Sequence, residues 1–372
     1  MGIEVDRGSI DEVVAKAANY EIDEFWMHFR TDNCTLNEFG DALQMANDAD
    51  DEATYGEGGD RIPTGIVFIV VPRSEVDRFE RWLSLLVSGL EDRGATGRLE
   101  VIESVHAGNW PTEDPTPAAF VACTEDPDAV MVDERRRTAW HVPTDATREI
   151  ITSAAAWAEA GGTHTSVKFG IFPLGVSPES DVASMLHTSL VDNKASGCTC
   201  YQPDQQRGRR VAIRPRGKVV MQAIGAQVPW QQRIEAEYEA LTTLPNRHLD
   251  LAFIRPATRT VQSWLSIDKP QKLPNLDESH IRNNRHLLSR HTPDAHGIQV
   301  LTDQHLDRAR DLSSWTVREI GENRFLVEAK DLTTWYSTTL PDQDAVDQAR
   351  HDFGDMILTQ ETIAANPPPW RN

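Results

Sequence analysis

Six cations between positions 207 and 218, Arg207, Arg209, Arg210, Arg214, Arg216 and Lys218, stand in a chain whose formal net charge is -21. They form the one local cluster that opposes the global charge. On a hairpin, side chains two residues apart share a face, so Arg210, Arg214 and Arg216 are expected to project together. A row of guanidinium groups presents planar forks that match phosphate or carboxylate oxygens. The six residues are therefore the candidate anion-binding site for a phosphate-bearing ligand, a nucleotide or a nucleic acid. Two plainer readings compete: the arginines neutralise the chain's own acids, or they guard an edge strand against pairing. A second basic run, Arg135-Arg136-Arg137, reads as a solvated turn unless the fold brings it beside Arg209 and Arg214.

Five of the twelve histidines, His280, His286, His291, His296 and His305, fall within one segment interleaved with Asp277, Asp294, Asp303 and Asp307. Density invites a metal reading, but His280 and His286 would diverge on a helix and the chain contains no HExxH. The alternative that survives is a loop site built on His286, His291 and His296; the preferred reading has no metal and no cofactor. Cys198 and Cys200 flank Thr199, and on a strand they share a face about 6.6 Å apart, near the limit for a disulfide. With Cys34 and Cys123 they read as buried small residues. The acidic stretch Asp48 to Asp60 lacks the alternating oxygen ligands and distal Glu of a calcium loop and reads as a loop without regular structure.

Other catalytic signatures are missing. The chain has no Walker phosphate loop, no dinucleotide glycine fingerprint, no nucleophile elbow and no C-x-x-C pair. Asp352-Phe353-Gly354 spells a magnesium motif without the catalytic loop that would precede it. Trp110, in a proline-rich stretch, is a candidate exposed contact. Asp311-Leu312-Ser313-Ser314-Trp315 and Asp331-Leu332-Thr333-Thr334-Trp335 echo each other, and without a third copy they read as two similar turns with anchoring tryptophans.

The elements that must position these residues follow from periodicity. Phe25, Met27 and Phe29 alternate with Trp26, His28 and Arg30 as in a strand with one buried face, and Thr35 with Glu38 is a capping box opening a helix. Ile66 to Val71 is apolar on both faces, as a central strand is. Val76, Phe79, Leu83, Leu86 and Leu90 give the following helix one apolar stripe, and Leu99 and Val101 return the chain as a strand, completing a β-α-β unit. Strands at 120–123 and 138–142 precede a helix from Thr144 that ends at Gly161-Gly162 in an αL cap. Another helix runs through Val182 to Leu190. Cys198 to Tyr201 and Val211 to Met221 read as paired strands around the turn Gln202 to Gly208. Beyond a boundary near residue 228 come a helix over Ile234 to Leu244, strands at 249–254 and 298–301, a hairpin around Gly321-Glu322-Asn323, and an amphipathic helix through Val346 and Phe353.

The fold class expected is α+β, with mixed sheets in β-α-β lobes and a separate C-terminal α+β lobe. The corresponding divisions are 1–125, 126–228 (carrying the basic hairpin) and 229–372. With 372 residues, 39% of them apolar, the chain can bury ordinary cores. Its 58 acids against 37 bases, 30 of them Arg, disfavour non-specific contact with nucleic acid or anionic membrane. The first residues carry no export or lipid-anchor pattern, and no apolar run approaches the roughly 20 residues that span a bilayer. Four cysteines fit a reducing compartment, so a cytoplasmic location is expected. The leading functional expectation is an acidic binding protein of the inhibitor, adaptor or immunity type with a protein partner of basic character. The alternative is a phosphate-directed enzyme or nucleotide binder acting through the basic hairpin.

Overall fold

The computed structural model describes residues 2–368 except 19–24, 50–54, 63, 72–75, 102–115, 125–129, 134–137, 142–143, 170–171, 177–179, 192–195, 203, 205–206, 215–217, 226–227, 258–275, 277 and 339. The chain has an α+β fold in two compact units, one of Met1–Val105 with Ile171–Gly175, the other of His106–Gly170 with Val176–Asn372. Among the described residues no helix is long and apolar enough to cross a membrane.

The first unit contains β1 (Ile3–Val5), α1 (Arg7–Ala18), β2 (Phe25–Arg30), α2 (Leu36–Asp48), β3 (Tyr55–Ile62), β4 (Gly65–Val71), α3 (Val76–Glu91) and β5 (Gly97–Val101). Its sheet runs β1-β5-β2-β4-β3, parallel between β1 and β5 and antiparallel elsewhere. Strands β4 and β5 both run opposite to β2, so β4-α3-β5 is the β-α-β unit expected, with β2 inserted between its strands. Together with β2-α2-β3 this makes the double split β-α-β arrangement of the ferredoxin-like type. The alternation of Phe25, Met27 and Phe29 turns those side chains into a core shared with Phe39, Phe68, Phe79, Trp82 and Leu99. The Thr35 capping box forms, with Glu38 returning to the Thr35 backbone.

The acidic stretch behaves differently from expectation, because Tyr55–Ile62 is a strand. Asn47 on α2 explains it: its side chain donates to the Gly56 carbonyl at 2.8 Å and accepts the Gly56 N–H at 2.9 Å. A Cβ at Gly56 would meet Leu43 at 2.5 Å, so glycine there permits close packing on α2 rather than marking a loop.

The second unit contains β6 (Thr116–Cys123), the small hairpin β7 (Val130–Asp133) and β8 (Thr138–His141), α4 (Asp145–Glu159) and β9 (His164–Phe169). After β10 (Phe172–Val176), most of which belongs to the first unit, come α5 (Val182–Val191), β11 (Ser196–Gln202), β12 (Arg207–Arg214), β13 (Lys218–Gly225), α6 (Trp230–Thr243) and β14 (Leu249–Ala257). The chain closes with α7 (Glu278–Asn283), β15 (Ile298–Thr302), α8 (Asp303–Leu306), β16 (Trp315–Gly321), β17 (Arg324–Ala329), α9 (Thr333–Tyr336), α10 (Gln343–Phe353) and α11 (Gln360–Ala365).

Nine of these strands form one antiparallel run, β9-β11-β12-β13-β6-β14-β15-β17-β16. The boundary expected near residue 228 is therefore no break: β13 before it and β14 after it both flank β6. The two compact units part near residue 105, with Ile171–Gly175 joining the first. Val211 to Met221 is also two strands rather than one, since β12 turns back into β13. Gly161-Gly162 does not form an αL cap, as neither glycine has a positive φ. Gly162 instead lies where a Cβ would come within 2.4 Å of the Tyr201 backbone.

The echoed segments are two matching turns, in which Asp311 accepts the Ser313 N–H at 2.8 Å and Asp331 the Thr333 N–H at 2.9 Å. Their tryptophans, Trp315 and Trp335, lie with ring centres 6.2 Å apart.

Where the β13–β6 register ends, at the pair Met221↔Ala119, the fully buried Glu237 of α6 takes over. Its carboxyl group accepts the N–H of Ala119 at 3.3 Å and that of Ala223 at 2.5 Å. Burial holds this carboxyl well above the usual carboxylate range. Glu237→Ala leaves two buried backbone donors without an acceptor and is expected to cost roughly 2–4 kcal/mol. Glu237→Gln, which keeps one acceptor oxygen, is expected to cost less. Urea unfolding of the three proteins checks the order.

Candidate functional site

The basic hairpin lies on β12 and the start of β13, and its described cations do not face outward together. Arg209 turns toward the helices: its guanidinium donates to Glu239 of α6 at 3.2 and 2.9 Å and to the Trp157 carbonyl at 3.1 Å, and lies 4.9 Å from the Trp157 ring centre. Strand alternation sends Arg210 to the opposite face. There it donates to Gln222 Oε1, while Gln222 donates to Thr116 Oγ1 at 2.6 Å and to the Ala257 carbonyl at 3.1 Å. Lys218 is only 7% exposed and its Nζ sits 5.5 Å from the Phe120 ring centre. Arg207 is exposed and donates to Gln202. Arg214 pairs with Lys218 in the ladder; its side chain, all of Arg216, Arg135 to Arg137 and Trp110 lie outside the described residues. Among the described cations, Arg209 and Arg210 thus lie on opposite faces, and Arg209 is tied to an acid of the same molecule.

The face that carries Arg210 and Lys218 continues across the central strands as a stack of rings. Phe120 of β6 and Phe253 of β14 lie 5.4 Å apart with planes 8° from parallel, and His296 covers Phe253 at 4.0 Å and 9°. Arg255, two residues along β14 from Phe253 and therefore on the same face, places its guanidinium 5.1 Å from the Phe120 ring centre.

The stack ends at a small cavity open to solvent. Its polar lining is Arg255, Asp294, His296 and Tyr336; its apolar walls include Ile254, Trp335, Leu340, Pro341 and Val346. Asp294 is held by a bidentate ion pair from Arg350 of α10, at 2.9 and 2.7 Å, and also accepts the Ala295 N–H at 2.8 Å. Tyr336 donates its hydroxyl to the Ile254 carbonyl at 3.0 Å, and burial pushes that hydroxyl's pKa up, so it stays a donor. His296 is 8% exposed and its Nε2 is buried without a hydrogen-bond partner. Burial, with Arg255 and Arg350 adding to it, holds the imidazole pKa well below its usual value. The ring is neutral at physiological pH.

The loop metal site built on His286, His291 and His296 is not assembled. His286 Nε2 lies 3.1 Å from the Asn366 carbonyl, His291 sits against the backbone of Asp355 and Met356, and His296 is on the phenylalanine stack. Among the described residues no group of three or more His, Cys, Asp or Glu side chains is placed to hold a metal. All four cysteines are buried free thiols, and burial pushes Cys123 up to about 12.

Arg255, Tyr336 and Arg350 were not singled out by motif or spacing. The one signal available was Arg255 itself, a charge inside the apolar strand Leu249–Ala257, because an arginine is rarely buried without a specific setting. No protein-family model, curated protein or solved structure matches this chain.

The buried histidines make stability pH-dependent. His305 accepts the Thr302 N–H on Nδ1 at 3.1 Å, closing the capping box of α8, and is fully buried. Burial pushes its pKa from 6.5 down to about 3. Across that window the unfolded chain binds a proton that the folded chain refuses, so stability is lost as pH falls below the unfolded value. The loss from this residue is on the order of a few kcal/mol. His305→Gln preserves a Thr-x-x-Gln capping box and removes the titration. Urea midpoints taken from pH 7 to pH 4.5 should fall in the parent protein and fall less steeply in the variant.

Proposed function

We propose that this chain is a binding protein that takes a small molecule with an apolar body in the cavity between the end of β14, the Asp294–His296 loop, α9 and α10. The observation that carries this reading is the open, largely apolar cavity lined by His296, whose buried Nε2 makes no hydrogen bond. Open apolar cavities with a few polar groups are where small ligands bind, and a polar atom without a partner costs free energy that a rearrangement on binding can recover. Recognition fits the geometry better than turnover, because no hydroxyl or thiol is bonded to His296 Nε2 as nucleophilic catalysis requires. The basic hairpin is a weaker candidate, with Arg209 engaged by Glu239 and Lys218 buried. A cytoplasmic location belongs to the same proposal, supported by the four free thiols.

A fragment screen that includes neutral aromatic compounds, observed by NMR at the Trp335 indole N–H, tests the reading. Fragments should shift that resonance and raise the melting temperature. Val346→Trp, which fills the cavity, should abolish both effects, and Arg207→Ala should change neither. A screen in which no fragment perturbs Trp335 would count against a ligand site here.

A further inference from the structure

We infer that the first unit carries an esterase site, in which Thr64 is the nucleophile, His28 its general base and Glu100 the group that positions the imidazole. The site lies on the sheet face opposite the aromatic core, and strand alternation builds it. Phe25, Met27 and Phe29 point into that core, so Trp26, His28 and Arg30 take the other side of β2. Glu100 of β5 stands directly opposite His28 in the register, with His28 Nδ1 3.4 Å from Glu100 Oε1. Such contacts are often long in a free enzyme and tighten when substrate binds. The Thr64 hydroxyl, in the turn between β3 and β4, lies 3.2 Å from His28 Nε2. Gly65 permits that approach: its φ is 148°, and a Cβ there would come within 2.0 Å of the Phe29 carbonyl oxygen.

Hydroxyl, imidazole and carboxylate in this order are what nucleophilic catalysis requires. Although burial acts to raise it, contacts with His28 and Arg30 hold the Glu100 carboxyl below its ordinary pKa, so it is ionised. Arg30 Nε donates to it at 2.5 Å, and Arg98 Nε lies 3.3 Å from its second oxygen. A carboxylate on that side of the ring keeps the proton on Nδ1 and leaves Nε2 as acceptor for the Thr64 proton. His28 is buried, but the base has only to reach the nucleophile, and Thr64 at its turn is partly exposed. Water is the second reactant. Thr64 Oγ1 bonds to the ester carbonyl carbon, its proton passes through His28 to the departing alcohol, and water then releases the acid and restores the threonine. Trp26 and Ile69 pair across β2 and β4 on the same face and are both half-buried, which suits an apolar acyl group.

The probes are p-nitrophenyl butyrate, for turnover, and diisopropyl fluorophosphate, which loses fluoride to an activated hydroxyl; both are used on the full chain. The ester should be hydrolysed, and peptide mass spectrometry should find the phosphoryl label on Thr64. Thr64→Ala, at a partly exposed turn, should lower kcat/KM roughly hundredfold or more and abolish labelling, whereas Thr64→Ser should keep both. His28→Gln should lower kcat about hundredfold. Glu100→Gln should lower kcat roughly tenfold with KM within about twofold, as expected of a group that acts through the imidazole and not on the substrate. Circular dichroism and the melting temperature confirm that each variant is folded. If the parent and Thr64→Ala hydrolyse the ester at the same rate, or the label lies on residues other than Thr64, the assignment is overturned. The fragment screen at Trp335 reports on the cavity separately, so either site can fail alone.

Discussion

The second unit depends on accommodating polar groups inside strands that are covered on both faces. Strands β13, β6 and β14 form the middle of a nine-strand run, and their residues are almost all buried. Such strands are normally continuous apolar runs, yet these carry Lys218, Gln222 and Arg255 on one face and receive Glu237 on the other. A buried charge or amide without compensation costs several kcal/mol. The four groups are met in three ways. Lys218 and Arg255 lie over the Phe120 ring, Gln222 is saturated by Arg210, Thr116 and Ala257, and Glu237 closes the fork between β13 and β6.

That solution is also what builds the cavity. Phe120 lies beside two cations, Phe253 stacks on it in register, and His296 completes the series. The loop that delivers His296 is fixed from both sides. Thr292 pairs with the chain near Ile357, and Asp294 is clamped by Arg350, whose helix also supplies Val346. At Gly297 a Cβ would come within 2.5 Å of the Trp335 ring, so glycine there lets the indole form the cavity wall. Residues from β14, the loop, α9 and α10 converge because one sheet face needs covering, and the cavity is the part of that cover left open.

Local rules in the sequence were readable wherever the decisive contacts were close in the chain. The Thr35 box, the stripes on α3 and α5, the two Asp-anchored tryptophan turns and the α+β class all follow from spacings of two to four residues. What escaped depended on distant partners. β3 is a strand because Asn47 and the face of α2 accept a glycine-rich edge. Composition placed a change of texture near residue 228, but strand order joins β13 to β6 and β6 to β14 across it. The basic hairpin was legible as a segment, whereas the sides its cations take depend on Glu239, Trp157 and Phe120. His296 was visible only as one histidine among five, since its neutrality and its unmade hydrogen bond come from Phe253, Arg255 and Arg350.

The charge of the whole molecule and the charge of the cavity wall act at different ranges. A protein of net charge -21 repels anions only over about a Debye length, ~8 Å at physiological ionic strength. At the cavity wall the balance is local: Arg255, a neutral imidazole and apolar side chains line it, and the Asp294 charge is matched by Arg350. The neutral state of His296 suits that balance. An imidazolium there would add a third cation beside Arg255 and Arg350 and strain the empty site, whereas the neutral ring costs the fold only an unmade hydrogen bond. The neutral ring is therefore the form compatible with burial on the phenylalanine stack.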